Sequence, residues 1–514
     1  QAIDEKNTAE RTGDGSKYHA AINHPQLSCL GLADRTMYKT SLETIRGWFS
    51  SSQSGDSYIL LEDGETYSST DLPINEIKQR HHKQRYCSGW RPKDALQIFW
   101  AVLPSFVARV LGHEEEGSVI PPANDTSYLN GLRGLAALFV VIYHNTNDYS
   151  FMYHGWGEAE EYRHPIQLPF IRLIYGGYFS VSVFFVISGF ALTYGPLKKS
   201  HHGQSEAAIG SLPSSIFRRP IRLFLPVVPV LFMVVILIQL QGLYNGNGLI
   251  PPIPGSVWGQ AVFIWRTMVI IVTQSTTNTI LPQAWTLSAE YQGSLLVFLC
   301  CMAFARASPR VRLPLLTTLL AFLFSLGFWQ HTLFLAGMLL ADFRHVRSKF
   351  PELSRPARWT TAFICWLIFL LSLFLGGWPM LGDGYAAAGY SWFRWVPTGG
   401  YDPTRFFATI SAIGLVASLE GLSIPRRGLN ARWILYLGEI SYGLYLVHWT
   451  VSSSFMTWGV KLSLLAAGHS QGLSWGIGFG LAMTFCIWLG DVQWRLVDRN
   501  SVKFARWLSE KCGI

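Results

Sequence analysis

Residues 128–145 read Tyr128-Leu-Asn-Gly-Leu-Arg133-Gly-Leu-Ala-Ala-Leu-Phe-Val-Val-Ile-Tyr-His144-Asn145. This is an apolar helix with one arginine near its start and one histidine near its end. A charged arginine inside a membrane span costs roughly 2.5–3.5 kcal/mol on insertion scales, so an intramembrane arginine marks a functional position by default. Arg133 and His144 are 11 positions apart. At about 100° per residue they fall on nearly one helix face, about 16 Å apart along the axis. The face presents a fixed cation at one depth and a titratable base at another. That suits a substrate held by its negative charge at one end and reacted at the other.

The chain around this helix is built for lipid. Of 514 residues, 49% are hydrophobic and 14% charged, with 20 Trp, 21 Tyr and 32 Phe. A soluble domain carries about 25% charged residues. Polar residues concentrate in 1–125, and the remainder is a series of long uncharged runs such as 223–240, 360–381 and 472–490, each long enough to cross a bilayer. The first twenty residues hold no apolar core, so no cleavable signal peptide is expected there. The net charge of +9 is not a nucleic-acid signal, because the basic residues sit between spans. Seven cysteines lack paired metal spacing; no disulfide framework and no metal site are expected.

Charge sets the topology. Basic clusters occur at Lys198/Lys199 with Arg218/Arg219/Arg222, at Arg306/Arg310/Arg312, at 344–358, at Arg426/Arg427/Arg432 and at 495–511, and the segments between them are poor in Lys and Arg. Putting the clusters in the cytoplasm gives ten spans, near 128–147, 178–196, 221–241, 284–305, 312–328, 331–344, 359–378, 404–421, 432–452 and 473–494. Both termini are then cytoplasmic. The uncharged run 313–341 is read as two short spans turning near Gln330 and His331, and 257–274, which contains Arg266, as an external or re-entrant segment. The expected class is an all-α polytopic membrane protein. Its parts are a polar cytoplasmic extension over 1–124 with an interfacial helix near 90–112, a transmembrane domain over 125–500, and a short cytoplasmic tail over 501–514. The sequon Asn124-Asp-Thr126 would face the cytosol and stay unused.

This topology sorts the polar residues by depth. Arg133, Arg219 and Arg222 collect at the inner face; His144, Glu290 and His448 collect in the outer half, with Asp148 one turn beyond His144. Each alone has a plainer reading. Arg133 can snorkel, Arg218/Arg219/Arg222 can simply fix topology, and His448 can be a packing histidine. Together, a histidine is the usual general base near neutral pH, a carboxylate can orient it, and clustered arginines bind phosphates through paired hydrogen bonds. A long phosphorylated donor held inside and reacting outside fits, and coenzyme A has that shape.

Five motifs carry a resemblance. They are Arg133 and His144 in the helix above, Gly177-Tyr-Phe-Ser-Val-Ser-Val-Phe-Phe-Val-Ile-Ser188-Gly189-Phe190, Phe217-Arg218-Arg219-Pro-Ile-Arg222, Ala284-Trp285-Thr-Leu-Ser288-Ala-Glu290-Tyr-Gln, and Ile440-Ser-Tyr-Gly-Leu-Tyr-Leu-Val-His448-Trp449. In order and spacing, residues 125–500 resemble the membrane-bound acyltransferase 3 family, in its eukaryotic, fungal-like form. The resemblance implies an acyl-CoA donor, acetyl-CoA foremost, bound from the cytoplasm as a substrate with no permanent cofactor, and an acceptor hydroxyl on a lumenal or extracellular glycan, glycolipid or secreted metabolite. It implies His144 as the catalytic residue, as base or acyl carrier, and Arg133, Arg219 and Arg222 as the donor's phosphate ligands. Glu290 is the candidate for orienting a base and Ser188 for lining the passage; His448 and Asp148 are secondary candidates. The membrane is the plasma membrane or the endoplasmic reticulum, with lipids as the other partner and no nucleic acid. A proton-coupled transporter of an anionic solute is the alternative; it would use the same arginines for binding, but no internal repeat is present.

Overall fold

The computed structural model describes residues 99–113, 124–146, 149–245, 248–250, 253, 255–274, 280–352 and 354–514. Most of the N-terminal extension, including residues 90–98 of the expected interfacial helix, and Asp148 lie outside the described residues.

Among the described residues the chain is helical, apart from two short strands, β1 (Tyr244–Asn245) and β2 (Gly248–Leu249), paired antiparallel. The helices are α1 (Ser105–Val110), α2 (Ser127–Asn145), α3 (Gly177–His201), α4 (Ser205–Gly210), α5 (Leu212–Phe224), α6 (Val227–Gln239), α7 (Val257–Thr273), α8 (Trp285–Ala303) and α9 (Pro309–Ser325). They continue with α10 (Trp329–Arg347), α11 (Arg355–Gly376), α12 (Pro403–Leu419), α13 (Ser423–Leu429), α14 (Arg432–Ser452), α15 (Val460–Ala466), α16 (Gln471–Gln493) and α17 (Arg499–Lys511). Every stretch read as a span is helical. By length and composition, 5 helical stretches among the described residues can cross a membrane, or 6 if the pair α12 and α13, bent by 101°, is one span. The surface agrees. Along α11 the side chains of Phe363, Ile364, Leu367, Leu370 and Leu371 are all exposed. An apolar face of this extent is stable against lipid and not against water, and the chain is an integral membrane protein.

Local sequence explains the breaks. Expected to turn near Gln330 and His331, the run 313–341 turns earlier, at Leu326–Phe328, and Gln330 and His331 lie in the first turn of α10. The cause is Gly327, whose φ of +86° is left-handed and lets the Gly327 and Phe328 amides reach back to Phe324 and Leu323. Pro226 separates α5 from α6, and its carbonyl accepts a hydrogen bond from Gln493 Nε2 at 2.6 Å. The segment 257–274 forms α7, with Trp258 and Trp265 exposed.

Two helix pairs organise the core. At the α2–α14 crossing, a Cβ on Gly134 would strike the backbone of Gly438, and one on Gly438 would strike the carbonyl of Asn130. At the α3–α10 crossing, Gly189 meets the Phe334 carbonyl and Gly337 the Val186 carbonyl in the same way. Small residues let helices approach to backbone contact, as in membrane helix pairs generally. Both pairs run parallel. Arg133 bonds Gly438 and Asn145 bonds Ser452; Phe185 packs on Phe334 and His201 bonds Asp342. The segments 149–176 and 377–402 cover the His144 end of α2. Arg172, 2% exposed, donates to the carbonyls of Tyr153 (3.0 Å) and His154 (3.2 Å), and Tyr153 Oη donates to the Tyr143 carbonyl.

At the other end, the described part of the expected interfacial helix is helical over 99–102 and, after a break at Pro104, forms the short α1. Ser105 donates through its backbone N (2.7 Å) and Oγ (2.8 Å) to Asp491, which Arg495 also bonds. Asn124 of the sequon accepts hydrogen bonds from Thr126 and Ser127 at the start of α2.

Candidate active site

The α2–α14 contact builds both ends of the site. With no side chain on Gly134 or Gly438, the Gly438 carbonyl is within reach of Arg133, whose Nη2 donates to it (2.6 Å) and to Asn130 Oδ1 (2.9 Å). Asn130 is held in turn by donating Nδ2 to Glu439 (2.8 Å). The Arg133 Nε is buried and has no partner among the described residues. The guanidinium opens on a cavity lined by Arg133, Arg219, Arg222, Glu290, Tyr442 and Asp498 among its polar residues. Ser188 and Tyr445 also line it.

Inside the cavity Arg219 donates from Nη2 to Glu290 Oε1 (2.7 Å) and from Nε to Ser294 Oγ (3.0 Å), and Ser188 Oγ donates to the same Glu290 oxygen (3.1 Å). Its depth groups Glu290 with the histidines as a candidate orienter of a base; in the structure it is the counter-ion of Arg219. A carboxylate in an apolar helix needs a cation, and the long arginine side chain from α5 reaches it. Arg218, next to Arg219 in sequence, faces away and donates to the Ser214 carbonyl.

About three turns along α2 from Arg133, the His144 ring stacks on His448 of α14, with centroids 5.1 Å apart and planes at 30°, while Trp449 meets His144 edge-on at 5.3 Å. His448 is fully buried, and its Nδ1 lies 2.7 Å from the Tyr445 carbonyl oxygen. A carbonyl only accepts, so Nδ1 carries a hydrogen and, in the neutral ring, Nε2 is a lone pair; among the described residues that nitrogen has no partner. Tyr445 stands between the two ends. Its ring lines the cavity and lies 5.6 Å from that of His448, and its hydroxyl bonds Thr286 (2.6 Å) and the Gln283 carbonyl (2.7 Å).

The fold therefore gathers Arg133, Arg219, Arg222, Ser188 and Glu290 at one end and His144 with His448 at the other. Asp498, Tyr442, Tyr445 and Gln283 were missed. Spacing could have found one of them, Tyr445. Gly438, Ser441, Tyr445 and His448 recur every three or four residues and so share one face of α14. Asp498 has a fainter signal, as an acid inside the basic run 495–511 after the last span.

A family model described as an acyltransferase domain matches residues 126–491. The chain belongs to the acyltransferase 3 family, and it is an acyl-transferring enzyme. Curated fungal relatives agree. O-acetyltransferase PaAT-1 of Phomopsis amygdali is 29% identical over 88% of this chain and 97% of its own. Acyltransferase R4 of Phoma sp. (strain ATCC 20986 / MF5453) is 22% identical over 70% of this chain and 90% of its own, and acyltransferase clz18 of Cochliobolus lunatus 22% over 69% and 89%. No solved structure matches. All five quoted motifs lie within the matched region.

Proposed function

We propose that this enzyme is a membrane-embedded O-acyltransferase that takes an acyl group, acetyl foremost, from cytoplasmic acyl-CoA and delivers it to a hydroxyl of a lumenal or extracellular glycan, glycolipid or secreted metabolite. The observation that carries the reading is that one helix, α2, joins a cavity lined by three arginines to a stacked histidine pair. The acetyl group is supported by the likeness to the Phomopsis amygdali O-acetyltransferase. Guanidinium groups bind phosphates bidentately, so Arg133, Arg219 and Arg222 hold the donor's phosphates. Glu290 holds Arg219 in place, with Ser188 as its second support. His144 acts as general base. It takes the hydroxyl proton as the acceptor oxygen attacks the thioester carbonyl; the carbon–sulfur bond breaks, and the proton passes to the departing thiolate.

In this reading the ten helical stretches are ten spans, with the arginine end and both termini cytoplasmic, in the plasma membrane or the endoplasmic reticulum. The parallel course of α2 with α14 and of α3 with α10 supports it, because spans one and nine, and spans two and six, must each run in one direction. The extension before residue 125 is then a cytoplasmic arm on the transmembrane domain, and residues 501–514 a cytoplasmic tail.

The test is consumption of labelled acetyl-CoA by protein in liposomes, with glycerol, 1-octanol and a methyl glycoside offered as acceptors. His144→Ala is expected to keep donor binding and lose turnover; Arg133→Ala is expected to weaken donor binding. Wild-type protein that neither binds nor consumes acetyl-CoA, or undiminished activity in both variants, overturns the reading. Flux of an anion without acyl-CoA consumption would point to transport.

A further inference from the structure

The arginine-lined cavity and the histidine pair share α2 and α14 but do not meet. On α14 the cavity wall takes Ser441, Tyr442 and Tyr445, while His448, one turn further, and His144 are not among the lining residues. Three ring contacts cross that gap in sequence. The Phe184 ring meets Tyr445 edge-on at 6.1 Å, Tyr445 lies 5.6 Å from His448, and His448 stacks on His144 at 5.1 Å. Phe184 and Tyr445 both line the cavity, so this pair bounds it on the histidine side. The course of α3 agrees. A Cβ on Gly177, its first residue, would strike the ring of Tyr143, the neighbour of His144, whereas Ser188 bonds Glu290 at the arginine end. Phe184 falls between those two positions on the same helix. The two boundary rings are held differently. Tyr445 is buried, with its hydroxyl 2.6 Å from Thr286 Oγ1 and 2.7 Å from the Gln283 carbonyl oxygen. Phe184 is half-buried, has no polar atom to anchor it, and packs against both main hydrophobic clusters without being inside either. Turning the phenylalanine breaks no hydrogen bond; turning the tyrosine breaks two.

We propose that Phe184 is the acyl-size filter of this enzyme, the side chain past which the acyl end of the donor travels from the arginine-lined cavity to His144. This rests on the O-acyl-transfer reading above and adds which donors the site accepts. With the donor's phosphates on the arginines, its thioester end lies towards the apolar wall formed by Val181, Phe184 and Leu287. A short acyl group passes between a turning Phe184 ring and the fixed Tyr445 ring. Each further methylene has to push the ring deeper into its packing, and overfilling a close-packed wall is unfavourable. An apolar pocket does little to reject a smaller ligand, so selection against surplus length needs a steric barrier of this kind. Phe184 therefore sets the preference for acetyl over longer straight chains, and Tyr445 is the fixed post against which it closes.

The experiment measures consumption of labelled acetyl-CoA and hexanoyl-CoA by protein in liposomes with glycerol present, and compares the ratio of the two kcat/KM values. The ratio is internal to each preparation, so a loss of folded protein cancels. Wild type is expected to favour acetyl by at least about thirtyfold. Phe184→Ala deletes the ring and is expected to cut that preference by at least about tenfold; Phe184→Leu, the milder change, by at least about threefold. Phe190→Leu is the control for general loosening. Phe190 lies on the same helix, is fully buried and does not line the cavity, so its variant is expected to keep the wild-type ratio. A wild type with no acetyl preference, an unchanged ratio in both Phe184 variants, or an equal shift in Phe190→Leu overturns the filter while leaving acyl transfer in place. A wild type that consumes neither donor overturns the transfer reading itself, and the filter with it.

Discussion

Arg312 and Arg133 each sit in an apolar helix, and they are used in opposite ways. Arg312, on α9, is 1% exposed and saturated. Nε and Nη2 clamp both oxygens of Asp342 (2.7 and 2.6 Å), and Nη1 donates to Ser200 Oγ and the Ala307 carbonyl. His201 adds a further bond to Asp342 at 2.6 Å, so helices α3, α9 and α10 are pinned at one point. Arg133, on α2, bonds Asn130 and Gly438 through Nη2, leaves Nε without a partner among the described residues and opens on a cavity. A buried donor left unpaired costs roughly 1–3 kcal/mol, a standing cost that only a ligand or water removes. The first arginine closes a structural clasp, and the second keeps capacity for something absent from the protein itself.

The sharpest way to break this contrast is Asp342→Asn. It removes the counter-charge from a fully buried guanidinium, and breaking a buried pair from one side costs about 3–5 kcal/mol. Thermal unfolding in detergent is expected to show a large loss of stability, with any donor affinity that survives in the folded fraction unchanged. Wild-type stability in D342N would mean that Arg312 is no clasp and that saturation says nothing about role.

Arg133→Ala comes next. Its own bonds are few, so the melting transition is expected to move little, whereas affinity for 3′,5′-ADP, the phosphorylated end of the donor, should fall about ten- to a hundredfold, as expected for roughly 1.5–3 kcal/mol in charge-assisted hydrogen bonds. Equilibrium binding in detergent checks it. A variant that melts early yet binds normally would exchange the roles of the two arginines.

The sequence announced one arginine far better than the other. Arg133 stood out because it interrupts a single apolar helix with a histidine on the same face, a pattern readable within eighteen residues. Arg312 looked like one more basic residue in a loop cluster, since its partner Asp342 is thirty residues away and only packing unites them. The helices were legible from uncharged runs, and the one misplaced turn shows that glycine outweighs polarity. Gly327 could reverse the chain, and Gln330 and His331 could not. The pairing of Glu290 with Arg219 is hidden for a related reason. Depth along a helix axis is readable, but the lateral reach of Arg219 is a property of the tertiary fold. That His448 Nε2 lacks a partner among the described residues could not be read at all, because that is defined only once the neighbours are in place.

The smallest effect sharpens the comparison most finely. Ser188 Oγ gives Glu290 its second hydrogen bond, and Glu290 in turn holds Arg219 at the cavity wall. Ser188→Ala removes one neutral donor to a carboxylate that keeps its arginine, a loss of about 1 kcal/mol. If the arginine end is a binding surface whose charges are set by such supports, affinity for 3′,5′-ADP should fall about three- to fivefold, while the melting temperature and the KM for glycerol stay put. The same deletion beside the clasp, Ser200→Ala, which takes away an acceptor of Arg312, should do the reverse: lower the melting temperature slightly and leave 3′,5′-ADP binding alone. Equal behaviour of the two serine variants would show that the two ends of the molecule respond as one packed core. Opposite behaviour would separate the polar groups that hold the helices together from those held ready for a substrate.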